Sequence, residues 1–134
     1  MPISAPAFRA GCVLLTFAVT AVIVYESTQA RGEPGVLELT TNEAYLGHFT
    51  IYAAMALSAM LALGRRTLFG VALVLLLVAG AGTALELYQA QVPSRSASLG
   101  DVLADVAGGL FGILVFLAIT GIVLRRDESR PTKA

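Results

Sequence analysis

Glu86 interrupts an apolar run over residues 69–87, Asp101 and Asp105 open a second over 102–124, and His48 opens a third over 49–63. Ionisable side chains inside a bilayer cost about 2.5 kcal/mol or more each, so they face a protein interior or a water-filled cavity and mark function. Carboxylates beside an imidazole can pass protons to and from a substrate, grip the hydroxyls or amines of a polar ligand, or bind a metal ion. No nucleophile motif accompanies them, which leaves a reaction type unconstrained.

Helical spacing groups these residues, because positions i, i+3, i+4 and i+7 share one face. His48 and Tyr52 are four apart, and their stripe continues through Met55, Ala59 and Ala62. Glu86 and Gln89 are three apart, with Gly82 and Ala79 beneath them. Asp101 and Asp105 are four apart, and Gly108 and Gly112 continue their face. On each helix a polar end gives way to small residues, which let membrane helices approach closely, and Gly108-Gly-Leu-Phe-Gly112 is a GxxxG pattern. The expectation is a tight helix contact that splays into a polar pocket at one end.

The elements that must position these groups follow from composition. The 134-residue chain is 57% hydrophobic and 13% charged, with a mean hydropathy of +0.79. A soluble domain of this size cannot bury so much apolar surface, whereas lipid accepts it. A formal net charge of zero gives no sign of a nucleic-acid partner. Runs at 10–25, 45–63, 68–89 and 99–124 are close to the roughly 17–25 residues that a spanning helix needs. We therefore predict an all-α integral membrane protein, a four-transmembrane-helix bundle forming one domain over residues 1–134, with a charged, disordered tail at 125–134. Between the runs lie a polar segment at 26–44 containing Gly32-Glu-Pro-Gly35, a two-arginine hairpin at 64–67 and a loop at 91–98. Cys12 is the only cysteine and reads as packing.

If the four helices alternate, Arg9, Arg65, Arg66, Arg125, Arg126, Arg130 and Lys133 fall on one side, and Arg31 and Arg95 on the other. The positive-inside rule then makes both termini cytoplasmic. A cleaved signal peptide is a competing reading, since Thr28-Gln-Ala30 resembles a small-residue cleavage site. Against it, the basic charge ahead of the first run is limited to Arg9 and the amino terminus. At a rise of about 1.5 Å per residue, His48 lies near one turn below the outer surface, with Glu86 and Asp105 slightly deeper and Asp101 and Arg95 above. The strongly polar groups of the membrane region thus gather in the outer leaflet half.

Each residue also has a structural reading. Ser98 suits the N-cap of the fourth helix with Asp101 at N3, a capping box. Arg95 can pair with the carboxylates and hold its loop down, and His48 can be a hydrogen-bonded interfacial histidine. Tyr25 and Tyr45 read as interface anchors, and Gly80 and Gly82 as packing positions. Glu86 is hardest to explain structurally, because at its depth it needs a partner or a proton. As a member of a polar network it should tolerate Glu86→Gln, and Glu86→Leu should fold as well or better.

The stretch Glu86-Leu-Tyr-Gln89-Ala-Gln-Val-Pro93-Ser-Arg95-Ser-Ala-Ser98-Leu-Gly-Asp101-Val-Leu-Ala-Asp105-Val-Ala-Gly108-Gly-Leu-Phe-Gly112 resembles the hallmark of VanZ-like membrane proteins. That hallmark has a glutamate and glutamine ending one helix, a Pro-x-Arg loop, an aspartate opening the next helix, then an asparagine and spaced glycines. His48-Phe-Thr-Ile-Tyr52 resembles the family's His-x-x-x-Tyr, and Ser27-Thr-Gln29 resembles the Ser-x-Gln after its first helix, which argues against signal cleavage. The similarity spans residues 10–122. Asp105 stands where the family usually has asparagine, adding a potential charge to the pocket. Ala44 and Tyr45 replace an Asp-Lys pair, which puts in doubt any role that needs the lysine. The resemblance implies a bacterial cytoplasmic-membrane protein. The family's namesake is associated with reduced susceptibility to teicoplanin-type glycopeptide antibiotics, while most members have no established biochemical activity.

Three readings stay open. The leading one is a non-enzymatic envelope protein that binds membrane lipids or a lipid-linked cell-wall precursor through His48, Tyr52, Glu86, Gln89, Arg95, Ser98, Asp101 and Asp105. Arg95 and the amino terminus of the fourth helix favour an anionic group, whereas Asp101 and Asp105 oppose a bare phosphate and favour hydroxyls or amines. The second is an intramembrane enzyme acting on a lipid-linked substrate, with Glu86 and Asp101 as acid/base partners and His48 assisting. The third is a proton-linked transporter, for which a polar path through the inner leaflet is missing. No cofactor and no metal are expected. A metal site from His48, Glu86 and Asp101 depends on ligand spacing across three helices, which the sequence does not set. Oligomerisation is left open.

Overall fold

A computed structural model describes residues 6–28, 40–92 and 95–128, with side chains described as far as residue 122. The helices are α1 (Pro6–Thr28), α2 (Thr41–Leu63), α3 (Leu68–Gln89) and α4 (Leu99–Glu128). Each is long and apolar enough to cross a membrane, and the described residues contain no strand. Gln29, Arg31, the Gly32-Glu-Pro-Gly35 segment, Pro93 and tail residues 129–134 lie outside the described residues.

The helix count and order agree with the sequence, and the ends differ. α2 starts at Thr41 rather than residue 45, because Thr40 and Glu43 form a complete capping box. Glu43 Oε2 accepts from the Thr40 amide at 2.9 Å, and Thr40 Oγ1 accepts from the Glu43 amide at 3.4 Å. That extra turn places His48 roughly 10 Å along its helix at a rise of about 1.5 Å per residue, deeper than expected. α1 likewise reaches past residue 25 to Thr28. α4 runs through Glu128, so residues 125–128 are helical rather than disordered, in keeping with the good helix propensity of Arg125, Arg126 and Glu128. Gly64 closes α2 in the left-handed conformation at φ 61, where a side chain would be strained. Thr67 then caps α3 by accepting from the Gly70 amide at 3.1 Å.

α2 makes its broadest contact with α4, although α3 lies between them in sequence. The reason is the glycine face of α4. A Cβ added at Gly108 or Gly112 would overlap the backbone of Phe49 or Ala53, so these positions let the two backbones touch. Gly80, by contrast, faces open space, and the packing role expected of it is absent among the described residues. The core combines Tyr52, Met55, Ala56 and Met60 of α2 with Val74 and Val78 of α3 and Ile113 and Phe116 of α4. α1 joins through Ile23 and through Thr16 Oγ1, which donates to Ser58 Oγ at 2.9 Å. Large apolar side chains such as Phe17, Leu76, Leu103 and Leu114 point outward, as lipid-facing surfaces require.

Candidate functional site: a carboxylate–histidine cluster

His48 leans from α2 onto the first turns of α4. Its Nδ1 lies 2.8 Å from Asp105 Oδ1, and its Nε2 lies 4.0 Å from Asp101 Oδ2. With Asp105 ionised, Nδ1–H is the donor, and Nε2 is the nitrogen that faces the rest of the cluster. The ring stacks parallel to Tyr52 one turn below, with centroids 6.5 Å apart. The sequence placed Asp105 and His48 on inward faces, and the structure makes them direct partners. Asp105 is 1% exposed, and its Oδ2 has no hydrogen-bond partner among the described residues. That oxygen occupies space left by Gly82 on α3, where a Cβ would collide with it. Gly82 therefore belongs to the site as well as to the packing, and its i−4 spacing from Glu86 was the available signal.

Glu86 reaches the cluster from the last turn of α3, 4% exposed. Its Oε2 accepts from the Ser98 backbone amide at 2.6 Å. Ser98 Oγ in turn accepts from the Asp101 amide at 3.2 Å. The expected capping box is therefore split between helices. Ser98 plays its part at the N-cap, but the reciprocal acceptor is Glu86 of α3 rather than Asp101. This corrects the expectation that Glu86→Leu would fold as well or better, because Leu leaves the Ser98 amide without that acceptor. It also frees the Asp101 carboxylate to face His48.

The remaining expected residues take different places. Arg95 Nη2 donates to the Glu26 carbonyl in the last turn of α1 at 3.1 Å, tying the residues just ahead of α4 to that helix end. Gln89, at the end of α3, and Tyr52, against the His48 ring, are both buried, at 5% and 1% exposure. Tyr45 leans over Gly100 at the start of α4, so it braces this end of the bundle. Access comes from the side of His48 and Asp101, whose side chains are 25% and 14% exposed.

One ligand atom from each of His48, Glu86 and Asp101 lies within 4.8 Å of the others. The group can therefore exchange protons with a bound molecule, accept hydrogen bonds from hydroxyls or amines, or close around a cation. The opposite end of the bundle differs in kind. There Arg9 donates to the carbonyls of Ala62 and Leu63 at 2.9 and 2.7 Å, and Arg66 donates to that of Leu117 at 3.2 Å.

The family model described as VanZ/LLP1 matches residues 8–120, which takes in all four helices and every residue of the cluster. Neither the curated proteins nor the solved structures include a match to the chain.

Proposed function

Because this chain belongs to the VanZ/LLP1 family and carries four membrane-spanning helices, we propose that it is a bacterial cytoplasmic-membrane protein of the cell envelope. In this reading the carboxylate–histidine cluster opens toward the outer leaflet and holds the polar headgroup of a membrane lipid or a lipid-linked cell-wall precursor. The observation that carries it is the separation of the cluster from the basic end. His48, Glu86, Asp101 and Asp105 gather at one end, while Arg9, Arg65 and Arg66 belong to the other. The positive-inside rule then directs the cluster outward, with both termini in the cytoplasm. Carboxylates and an imidazole suit hydroxyl- or amine-bearing headgroups.

Sidedness and role are tested together. In a Cys12-free background, a cysteine at Ser96 should react with an impermeant thiol reagent in intact cells, and one at Thr67 only after lysis. Labelling of Thr67 from outside would reverse the orientation. Expression in a susceptible Gram-positive host should lower sensitivity to teicoplanin more than to vancomycin, because a lipid-anchored antibiotic meets its lipid-linked target at the outer leaflet. Asp101→Asn should remove that effect without removing the protein from the membrane. An unchanged teicoplanin response at confirmed expression sinks the antibiotic role.

A second reading is favoured by the His48–Asp105 pair. A ring held by a carboxylate through Nδ1 presents Nε2 as a general base. An enzyme of this kind would turn over a lipid-linked substrate, and the His48→Gln variant would not.

A further inference from the structure

We propose that His48 Nε2, Glu86 and Asp101 bind a divalent transition-metal cation of the Zn2+ or Mn2+ class, with Asp105 orienting the histidine. Three helices bring these ligand atoms within 4.8 Å of one another. Ligands about 2.1 Å from a tetrahedral metal stand roughly 3.4 Å apart, so side-chain shifts of about 1 Å close the set. The His48 Nε2 to Asp101 Oδ2 separation of 4.0 Å is the gap a bridging ion would occupy.

Asp105 points to the same conclusion independently. Metal-bound histidines hand their other ring N–H to a carboxylate or carbonyl, which fixes the tautomer and raises the ring's basicity. Asp105 does this to Nδ1 at 2.8 Å, from a position 1% exposed. Its second oxygen is buried without a hydrogen-bond partner among the described residues, in space that exists because residue 82 is glycine. A neutral imidazole could be held by an uncharged acceptor. A buried carboxylate with an unused oxygen is a costly substitute unless the ring carries positive charge or a cation.

Charge balance agrees. A divalent ion is neutralised by the Glu86 and Asp101 carboxylates, and Asp105 remains as the one further negative charge. An ion there offsets two of the three carboxylate charges, which a low-dielectric span disfavours. One imidazole nitrogen with two carboxylate oxygens suits Zn2+ or Mn2+ better than the all-oxygen sites of Ca2+ and Mg2+. The exposed side, between His48 and Asp101, leaves a coordination position for water or a ligand oxygen. The cation site does not depend on the proposed headgroup role, since metal analysis reads the one and the teicoplanin response the other.

The test uses the full chain in lipid nanodiscs, freed of any purification tag and stripped with chelator, then equilibrated with Zn2+ or Mn2+ alone. Elemental analysis should find one tightly bound ion per chain, and Mn2+ should give a bound-state spin-resonance signal in the unmodified protein. His48→Gln and Asp101→Asn should abolish stoichiometric binding. Asp105→Asn should keep the ion but weaken affinity by roughly 10–100-fold, as expected when the group behind a ligand is changed. Arg65→Gln, at the far end, should bind as the parent does. Far-UV circular dichroism confirms that each variant is folded. Binding well below one ion per chain in the unmodified protein overturns the proposal, as does binding that survives His48→Gln in a folded variant. Either result leaves the cluster held by protons alone.

Discussion

At one end of the bundle Arg9 reaches the Ala62 and Leu63 carbonyls and Arg66 reaches that of Leu117, while at the other three carboxylates and one imidazole crowd the tips of three helices. The arginines meet backbone dipoles that the helices supply in any case, and their heads stay exposed. Their end is complete as a structure. The carboxylates have no such ready supply: Ser98 gives one backbone amide to Glu86, Asp105 Oδ1 meets one ring nitrogen of His48, and Asp105 Oδ2 is left with no hydrogen-bond partner among the described residues. The difference teaches that two sets of charges in one small bundle can have unlike purposes. One set closes helix ends, and the other leaves hydrogen-bonding capacity unused among the described residues.

The contrast can be broken most severely through the contact that supports the cluster. Gly108→Leu drives a side chain into the Phe49 backbone beside His48. We expect loss of folded monomer by size-exclusion chromatography, whereas Gly80→Leu, which meets open space, should elute as the parent does. A normal Gly108→Leu protein would refute the α2–α4 seat. Next in size is His48→Ala, which leaves Asp105 buried without its partner and should destabilise by about 3–5 kcal/mol in denaturant titrations. The double variant with Asp105→Ala should lose less than the two single losses combined. Additive losses would mean that the pair is not coupled. Glu86 sharpens the comparison further. Glu86→Leu should cost about 1–3 kcal/mol by orphaning the Ser98 amide, and Glu86→Gln, which keeps an acceptor, clearly less. Equal losses would remove Glu86 from the α4 cap. The smallest effect belongs to the basic end, where Arg9→Gln should cost about 0.3–1 kcal/mol. A loss as large as that of His48→Ala would erase the distinction between the ends.

Much of this was legible in the chain, because the period of apolar residues and the length a bilayer demands are local properties. The four helices and the inward faces of His48, Glu86, Asp101 and Asp105 follow from them. The α2 start was legible too, in Thr40-x-x-Glu43, but apolar content alone placed it a turn late. What local pattern does not carry is which helix neighbours which. His48 meets Asp105 because glycines seat α4 on α2 across the intervening α3. The Ser98 amide at the start of α4 meets Glu86 at the end of α3, a contact that no periodicity describes. The metal alternative was undecidable for the same reason, since its ligand spacing depends on three helix positions at once.

The pairing of α2 with α4 also has a consequence for how the protein is made. His48 and Asp105 are separated by 57 residues of chain. At synthesis rates of about 5–20 residues per second, roughly 3–11 s pass between the appearance of one and the other. During that interval the chain holds α2 without the helix that will cover its glycine-contacting face. α2 and α3 are therefore both made before α4 can be seated against α2. Whatever shields the imidazole in those seconds, whether water at the interface, Glu86 on the newly inserted α3, or the insertion machinery itself, has to release it when Asp105 arrives.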